Sequence, residues 1–317
     1  MNTPSLRCGI IGAGTFAHLH AKAMSHLPFL KLSAICDTER VRCEKFSSVW
    51  GGKVFGDFHL LLEQEDLDII TIATPDETHG EITAGILNHP QAPRLLVVEK
   101  PLCTSRNELV SIGSLLQSHS TQIVVNHSRR FNAGFHRLRE LIRSGEFGTE
   151  LLSARWQYYA GWLHIGVHVV DTLRMLIGEI SCKEAHITGI DRYAEDPLLT
   201  VSLRSEIFPN ASIDVQGVPE DPYGLLEGEL FFPKGRIRIE WGDIFIDRLG
   251  KGHSSAPILR FDEHRTADSP LQTMESLYTS CHAFLRDDDK RLLEEAGFAE
   301  VQRTMTILFD ACSQARA

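Results

Sequence analysis

The stretch Leu6–Ala17, "LRCGIIGAGTFA", decides how the chain folds. A short apolar run ends in Gly12-x-Gly14-x-x-Ala17, and a helical pattern, "FAHLHAKAMSHL", opens directly behind it. Glycines at such a junction let the backbone turn tightly and approach a pyrophosphate, while the first helical turn offers unpaired N–H groups and a partial positive charge. Glycine turns between strand and helix are common, so the surroundings carry the weight. A second apolar run, "LKLSAICD", follows, and Asp37 ends it twenty positions past Ala17. There a carboxylate takes the ribose hydroxyls of a dinucleotide. Asp37 would repel a 2′-phosphate, which favours NAD, and Arg40 close by keeps NADP open. The same aspartate could cap the next helix, "TERVRCEKF", and the two roles are compatible. Gly12, Gly14, Thr15, Phe16 and Asp37 are the expected phosphate and ribose end of a cofactor site.

Outward from that turn the pattern alternates. "EKFSSVWG" reads as a helix, "LDIITIATP" as a buried strand, "HGEITAGILNH" as a helix and "RLLVVEKPL" as a strand. "NELVSIGSLLQSH" and "TQIVVNHS" close the series. Parallel strands need crossovers, so this alternation predicts a parallel sheet covered by helices on both faces. After about residue 148 strands succeed one another: "ELLSARWQYYA", then a helix "GVHVVDTLRMLIG", then "EAHITGI", "LTVSLRS", "ASIDVQGV" and "LEGELFFPKGRIRIEW", with "FPKGRI" as a hairpin turn. A helical tail, "EEAGFAEVQRTMTILFDACSQ", ends the chain. The expected fold is α/β. A Rossmann dinucleotide-binding domain over residues 1–125 precedes an α+β domain with a large, mostly antiparallel sheet over residues 126–317. The final helix is expected to return to the first domain.

At 317 residues, with 43% hydrophobic and 23% charged residues, the chain can bury two cores. A net charge of −10 argues against nucleic acid or anionic lipid as partners. No run approaches the ~18 apolar residues of a membrane span, and "MNTPSLRCGIIGAG" does not read as a signal peptide. Seven cysteines without a CxxC pair fit buried thiols in a reducing cytoplasm and leave no structural zinc site.

The chemical end of the site starts at "VVEKPL". Lys100, between four apolar residues plus Glu99 and a rigid Pro101, is poorly placed for a solvated lysine. It sits where α/β sheets gather ligands, at the carboxyl end of a strand. Its ammonium could polarise a substrate oxygen, or simply pair with Glu99. In order, "GIIGAGTFA", "IATPDETHGEI", "VVEKPL", "SRRFNAGFHRLRELIRSGEFG" and "GVHVVDTLRMLIGE" resemble the glucose–fructose oxidoreductase / inositol dehydrogenase / MocA (Gfo/Idh/MocA) family, with the similarity fading after about residue 235. That resemblance implies an NAD(P)-dependent oxidoreductase acting on a sugar, an inositol or a nucleotide-linked sugar. It also implies a homodimer or homotetramer built on the open sheet. Thr74, Pro75, His79 and Glu99 then fall beside the cofactor, with Lys100 near the nicotinamide and the substrate hydroxyl. His168 matches the acid/base histidine of the family's DxGxHxxD pattern.

The pattern's first aspartate is His164 here, in an "LHxGxH" variant similar to branches tied to surface-sugar biosynthesis. His164 and His168 stand four apart, the spacing of one helical face. They read as a proton-handling pair, as metal ligands with Asp171 for a third, or, for His164, as a helix-entry residue. Hydride transfer in the family needs no metal, so none is expected, and Asp171 and Arg174 read as supporting residues. In the expected chemistry neutral His168 takes the hydroxyl proton while Lys100 stabilises the alkoxide. Losing the aspartate crowds two potential cations, which keeps His168 neutral and admits an anionic substrate. Asn126, His127, Arg130, Trp156 and Tyr158 are further substrate candidates. Arg130 reads equally as a packing residue, and the aromatic face of "ARWQYYAGW" as core. Two other functions share these motifs: an NAD-dependent glycosidase or eliminating enzyme without net redox, and a non-catalytic NAD(H)-binding regulator.

Overall fold

A computed structural model describes residues 4–190, 195–219, 224–251, 257–266 and 268–316. The chain divides into two compact units. The first is Met1–Phe131 with Ser269–Met305, and the second Asn132–Asp268 with Thr306–Ala317.

Unit 1 is built on six parallel strands: β1 (Leu6–Ile11), β2 (Leu30–Cys36), β3 (Lys53–Phe55), β4 (Ile69–Ile72), β5 (Leu95–Val98) and β6 (Gln122–Val125). Their order, β3-β2-β1-β4-β5-β6, is that of a doubly wound dinucleotide fold. "IITI" and "LLVV" are buried at every position, because helices cover both faces of a parallel sheet. The crossovers are α1 (Thr15–His26), α2 (Arg40–Trp50), α3 (Phe58–Gln64), α4 (Asp76–Leu87) and α5 (Arg106–Leu116). The short pair β3 and α3 is additional to the expected elements.

The boundary falls at 131/132 rather than 125/126, and for a physical reason. A 3₁₀ turn, Ser128–Phe131, buries Arg129, Arg130 and Phe131 inside unit 1. More than a last helix returns to this unit. α8 (Pro270–Asp287) starts on Ser269 with Pro270 at its first position. Its capping box pairs the Ser269 and Gln272 side chains with each other's backbone N–H. Met274, Leu277, Tyr278, Cys281 and Leu285 of α8 share one core with Leu6, Ile10, Ala17, Ala21 and Met24. The expected single tail helix is broken at Gly297 into α9 (Arg291–Ala296) and α10 (Phe298–Ala315).

Unit 2 begins with α6 (Ala133–Arg143), whose first N–H groups at Gly134 and Phe135 are capped by the Asn132 side chain. Its sheet has eight strands: β7 (Ser153–Tyr158), β8 (Ile180–Gly189), β9 (Leu198–Ser205), β10 (Ser212–Gly217), β11 (Leu226–Phe232), β12 (Gly235–Glu240), β13 (Asp243–Lys251) and β14 (Pro257–Arg265). Their order is β14-β13-β12-β11-β7-β10-β9-β8, and every pair except β7–β10 is antiparallel. Alternation is plain on β7, where Ala154, Trp156 and Tyr158 are buried and Arg155 and Gln157 exposed. α7 (Val167–Ile177) is buried at every position but His168. Among the described residues no helix is long and apolar enough to cross a membrane.

Candidate active site

The strand order of unit 1 reverses between β1 and β4, and ligands of open α/β sheets bind outside the strand ends at such a point. Gly12 has φ +96°, and a Cβ there would run into the carbonyl of Ala73 at the end of β4. Glycine is therefore required where the two strand ends crowd together. Asp37 is buried and braces the turn. Its Oδ2 accepts the Ala13 N–H at 2.8 Å and its Oδ1 accepts the Glu39 N–H at 2.8 Å. The cation near it is Arg42, at 3.6 Å and also paired with Glu39, whereas the exposed Arg40 bonds Glu44. α1 has neither a side-chain cap nor an acidic residue in its first turn, while α3, α5, α6 and α8 are all capped by side chains. A Cβ on Gly14 would meet nothing within 4 Å, and Thr15 and Phe16 beside it are exposed. A glycine cradle, an uncapped helix start and a fixed carboxylate suit a dinucleotide.

At the ends of β4 and β5 a second group of residues meets. His79, fully buried on α4, has Nδ1 at 2.7 Å from the Pro101 carbonyl and Nε2 at 2.8 Å from the Thr74 carbonyl. It ties the two strand-end loops together around the cis Lys100–Pro101 bond. On the other flank of Lys100, Glu99 is buried. Its Oε1 lies 2.8 Å from Nε2 of His20 on α1 and accepts the Asn126 Nδ2–H at 2.7 Å. His20 Nδ1 lies 2.8 Å from the Tyr278 hydroxyl, which lies 2.8 Å from Oγ1 of Thr71. Burial works to raise the Glu99 carboxyl, but the bond and charge of His20, the Asn126 amide and the charge of Lys100 outweigh it and hold it below its ordinary value. Glu99 is thus a buried carboxylate next to a half-buried lysine.

In unit 2, Gly161 at φ +94° leads into a π-helical turn, Trp162–Gly166, that feeds α7. His164 lies in that turn and His168 in the first turn of α7, so the four-residue spacing crosses a change of helical pitch. Every other residue from Gly161 to Ile177 is buried, and these two histidines are the partly exposed positions. π-turns inside helices concentrate at functional sites. The structure corrects one expectation here. Where the sequence places His164 in the position of an aspartate, a carboxyl still reaches this corner from elsewhere: Asp196, in the connection from β8 to β9, accepts the backbone N–H of Leu163 and of His164, both at 2.8 Å. Burial pushes the Asp196 carboxyl above its ordinary value, and the N–H groups and the charge of His164 pull it only part of the way back. Asp171 and Arg174 are buried, with Arg174 paired to Glu179 at 2.7 Å. Among the described residues no group of three or more His, Cys, Asp or Glu is arranged to hold a metal.

Several expected substrate ligands are committed elsewhere. Arg130 is buried, donating to the Glu295 carbonyl at 2.7 Å and to Glu300 at 2.9 Å, so it anchors α9 and α10. Tyr158 is fully buried, its hydroxyl donating to the Leu199 carbonyl and accepting the Leu199 N–H. Trp156 is buried against Gly228. Substrate contact is withdrawn for these three. Asn126 and His127 are also buried, and the Asn126 amide serves Glu99. Burial pushes the thiols of Cys8, Cys36 and Cys103 up to about 12, which leaves no reactive thiolate among them. His20, Thr71, Tyr278 and Asp196 escaped the sequence reading. A histidine on the apolar face of "FAHLHAKAM" was the signal available for the first.

Residues 6–127 match the Gfo/Idh/MocA family model, described as "Oxidoreductase family, NAD-binding Rossmann fold". The "scyllo-inositol 2-dehydrogenase (NAD(+))" of Bacillus subtilis strain 168 is 26% identical over 257 residues, 74% of this chain and 73% of that protein. The "Uncharacterized oxidoreductase YrbE" of the same organism is 28% identical over 148 residues, 46% of this chain and 42% of its own length. The chain thus spans about half, or less, of the length of the relatives it matches most strongly. The crystal structure of the WlbA dehydrogenase from Bordetella pertussis, in complex with NADH and UDP-GlcNAcA, superposes with a TM-score of 0.79 at 21% identity. That superposition covers 98% of this chain and 97% of the other, and it shows a shared fold. The match thus places residues 6–127, with the cradle at Gly12 and Gly14 and the Lys100 turn inside them, with the NAD-binding Rossmann domain of the Gfo/Idh/MocA oxidoreductases.

Proposed function

We propose that the protein is an NAD(P)-dependent oxidoreductase moving a hydride between the nicotinamide and a secondary alcohol of a sugar or nucleotide-sugar. The observation that carries this reading is the Lys100 turn, a half-buried lysine at the carboxyl edge of the Rossmann sheet, flanked by the buried histidines His20 and His79. NAD is the favoured cofactor, since Asp37 would meet a 2′-phosphate with like charge. Gly12, Gly14, Thr15, Phe16 and Asp37 would hold its phosphate and ribose end, with Thr74, Pro75 and His79 along its course. When bound it supplies the hydride acceptor or donor.

The chain's residues handle the proton. In this proposal His168 takes the hydroxyl proton as a neutral imidazole, and the Lys100 ammonium stabilises the oxygen as negative charge develops. In the reverse direction the same pair returns the proton to a carbonyl. His164 serves beside His168. The outer face of the unit 2 sheet, where Arg155 and Gln157 are exposed, is the proposed surface for a homodimer or homotetramer.

A panel including myo-inositol and UDP-GlcNAcA, incubated with NAD and followed by NADH absorbance, tests the reading. Lys100→Met and His168→Asn are each expected to lower turnover by about 10²–10⁴-fold while NADH binding, followed by fluorescence, stays within threefold of the unsubstituted protein (~0.7 kcal/mol). Turnover that survives either substitution overturns the assignment. Product without accumulating NADH identifies transient redox in an elimination or glycosidic cleavage. NADH binding with no turnover of any alcohol identifies a sensor.

A further inference from the structure

We propose that His20 is a positioning residue for the chemistry at Lys100, acting through the buried carboxylate of Glu99. This rests on the reading of Lys100 given above. His20 is fully buried on α1 and uses both ring nitrogens, one toward Glu99 and one toward Tyr278. Tyr278 in turn meets Thr71, so a chain of four side chains runs from β4 through α8 and α1 to the end of β5. Whether the imidazole is neutral or protonated, it can present an N–H to the carboxylate. In the neutral case Tyr278 donates to Nδ1, and in the protonated case it accepts from it.

A second donor supports the same oxygen. Asn126 gives its Nδ2–H to Glu99 Oε1, while its own Oδ1 is buried without a hydrogen-bond partner. Leaving a buried acceptor unmade costs free energy, so the amide is turned to serve the carboxylate rather than itself. Two side-chain donors on one oxygen keep ionised a carboxyl that burial would otherwise neutralise. That charge sits one residue from Lys100, and the two act on each other electrostatically. A fixed negative charge there favours the ammonium form that the chemistry needs. The other titratable groups around the chain are the thiols of Cys8 on β1 and Cys281 on α8, which act on Tyr278. Burial keeps the Cys8 thiol neutral, with its ionisation pushed up to about 12. The charge that acts on Lys100 from this chain is therefore that of Glu99.

The test uses the full-length protein without substrate. Lysines are reductively ¹³C-methylated, the Lys100 signal is assigned by its loss in Lys100→Met, and its titration is followed by NMR. His20→Phe keeps the ring volume and removes the donor. It is expected to lower the Lys100 midpoint by about one pH unit, with other lysines unmoved, and His20→Gln is expected to restore most of the shift. Where an active alcohol has been found, the alkaline limb of the kcat profile moves down by the same amount while KM and NADH binding hold. Should His20→Phe fail to fold, Asn126→Ala removes the second donor and is read by the same shift. An unchanged Lys100 midpoint in a folded variant overturns the proposal. Turnover surviving in Lys100→Met sinks the catalytic reading instead, and the NMR titration still decides whether His20 acts on Lys100.

Discussion

Glu99 and Asp196 are two carboxylates withdrawn from water, one in each unit, each beside a residue proposed to handle protons, yet the fold moves them in opposite directions. Glu99 is buried and is held below its ordinary value, whereas Asp196 is only partly buried and is pushed above it. The difference lies in the donors. Glu99 faces His20, Asn126 and the charge of Lys100, whereas Asp196 faces chiefly backbone N–H groups of the π-turn. Backbone dipoles orient a carboxylate well but offset less of its desolvation than a side-chain partner that carries charge. One carboxylate is thus built to stay charged, the other to hold a backbone turn in place.

The largest consequence concerns stability. Glu99→Ala leaves His20 and Asn126 facing an emptied site, and breaking a buried ionic pair from one side costs about 3 kcal/mol. Asp196→Ala removes the shared acceptor of two neutral backbone N–H groups in a part-buried turn, for about 1 kcal/mol. Urea unfolding midpoints measured on both variants check the ordering, and equal losses would erase the distinction between the two sites.

A smaller effect is expected at Gly161. Its φ of +94° suits glycine, and a Cβ would run into the Asp196 carboxylate. Gly161→Ala should cost about 2 kcal/mol from backbone strain and the displaced carboxylate together. Because the two positions touch, the losses in Gly161→Ala with Asp196→Ala should be less than additive, and additive losses would show that Asp196 does not depend on this corner. The readout is again the unfolding midpoint.

How legible each site was follows the same division. The Rossmann sheet was readable because its strands are buried on both faces and so appear as unbroken apolar runs, as in "IITI" and "LLVV". Lys100 and His168 stood in local motifs. β3, three residues long, is too short to show a period. On β14 seven of nine positions are exposed, so no apolar alternation marks it. α8 differs, since Ser269, Pro270 and Gln272 spell a capping box that marks its start locally. His20, Tyr278 and Asp196 could not be read locally. Their partners lie 79, 258 and 32 positions away, at Glu99, His20 and His164. Polar pairing of that kind is set by tertiary structure, and the half of the site that tunes charge consists largely of it.

The smallest effect is also the most direct, because only its sign matters. A carboxyl held below its ordinary value in the fold contributes stability above the unfolded-state value and loses it as pH falls through the folded one. Glu99 behaves this way, so the stability of the unsubstituted protein over Glu99→Gln should shrink as the solution is acidified below the ordinary range of a glutamate. Asp196 has the opposite linkage. The fold binds its proton more tightly than the unfolded chain does, so its contribution is greatest in acid. It falls as pH rises from the unfolded value through the raised folded value. As pH rises, the unsubstituted protein should therefore gain on Glu99→Gln up to the ordinary glutamate range, and lose against Asp196→Asn from the ordinary aspartate range upward. Unfolding curves for the three proteins across the mildly acid range would show two differences of opposite slope. Parallel slopes would mean that both carboxylates are governed by burial alone, and that the side-chain donors around Glu99 do not hold its charge.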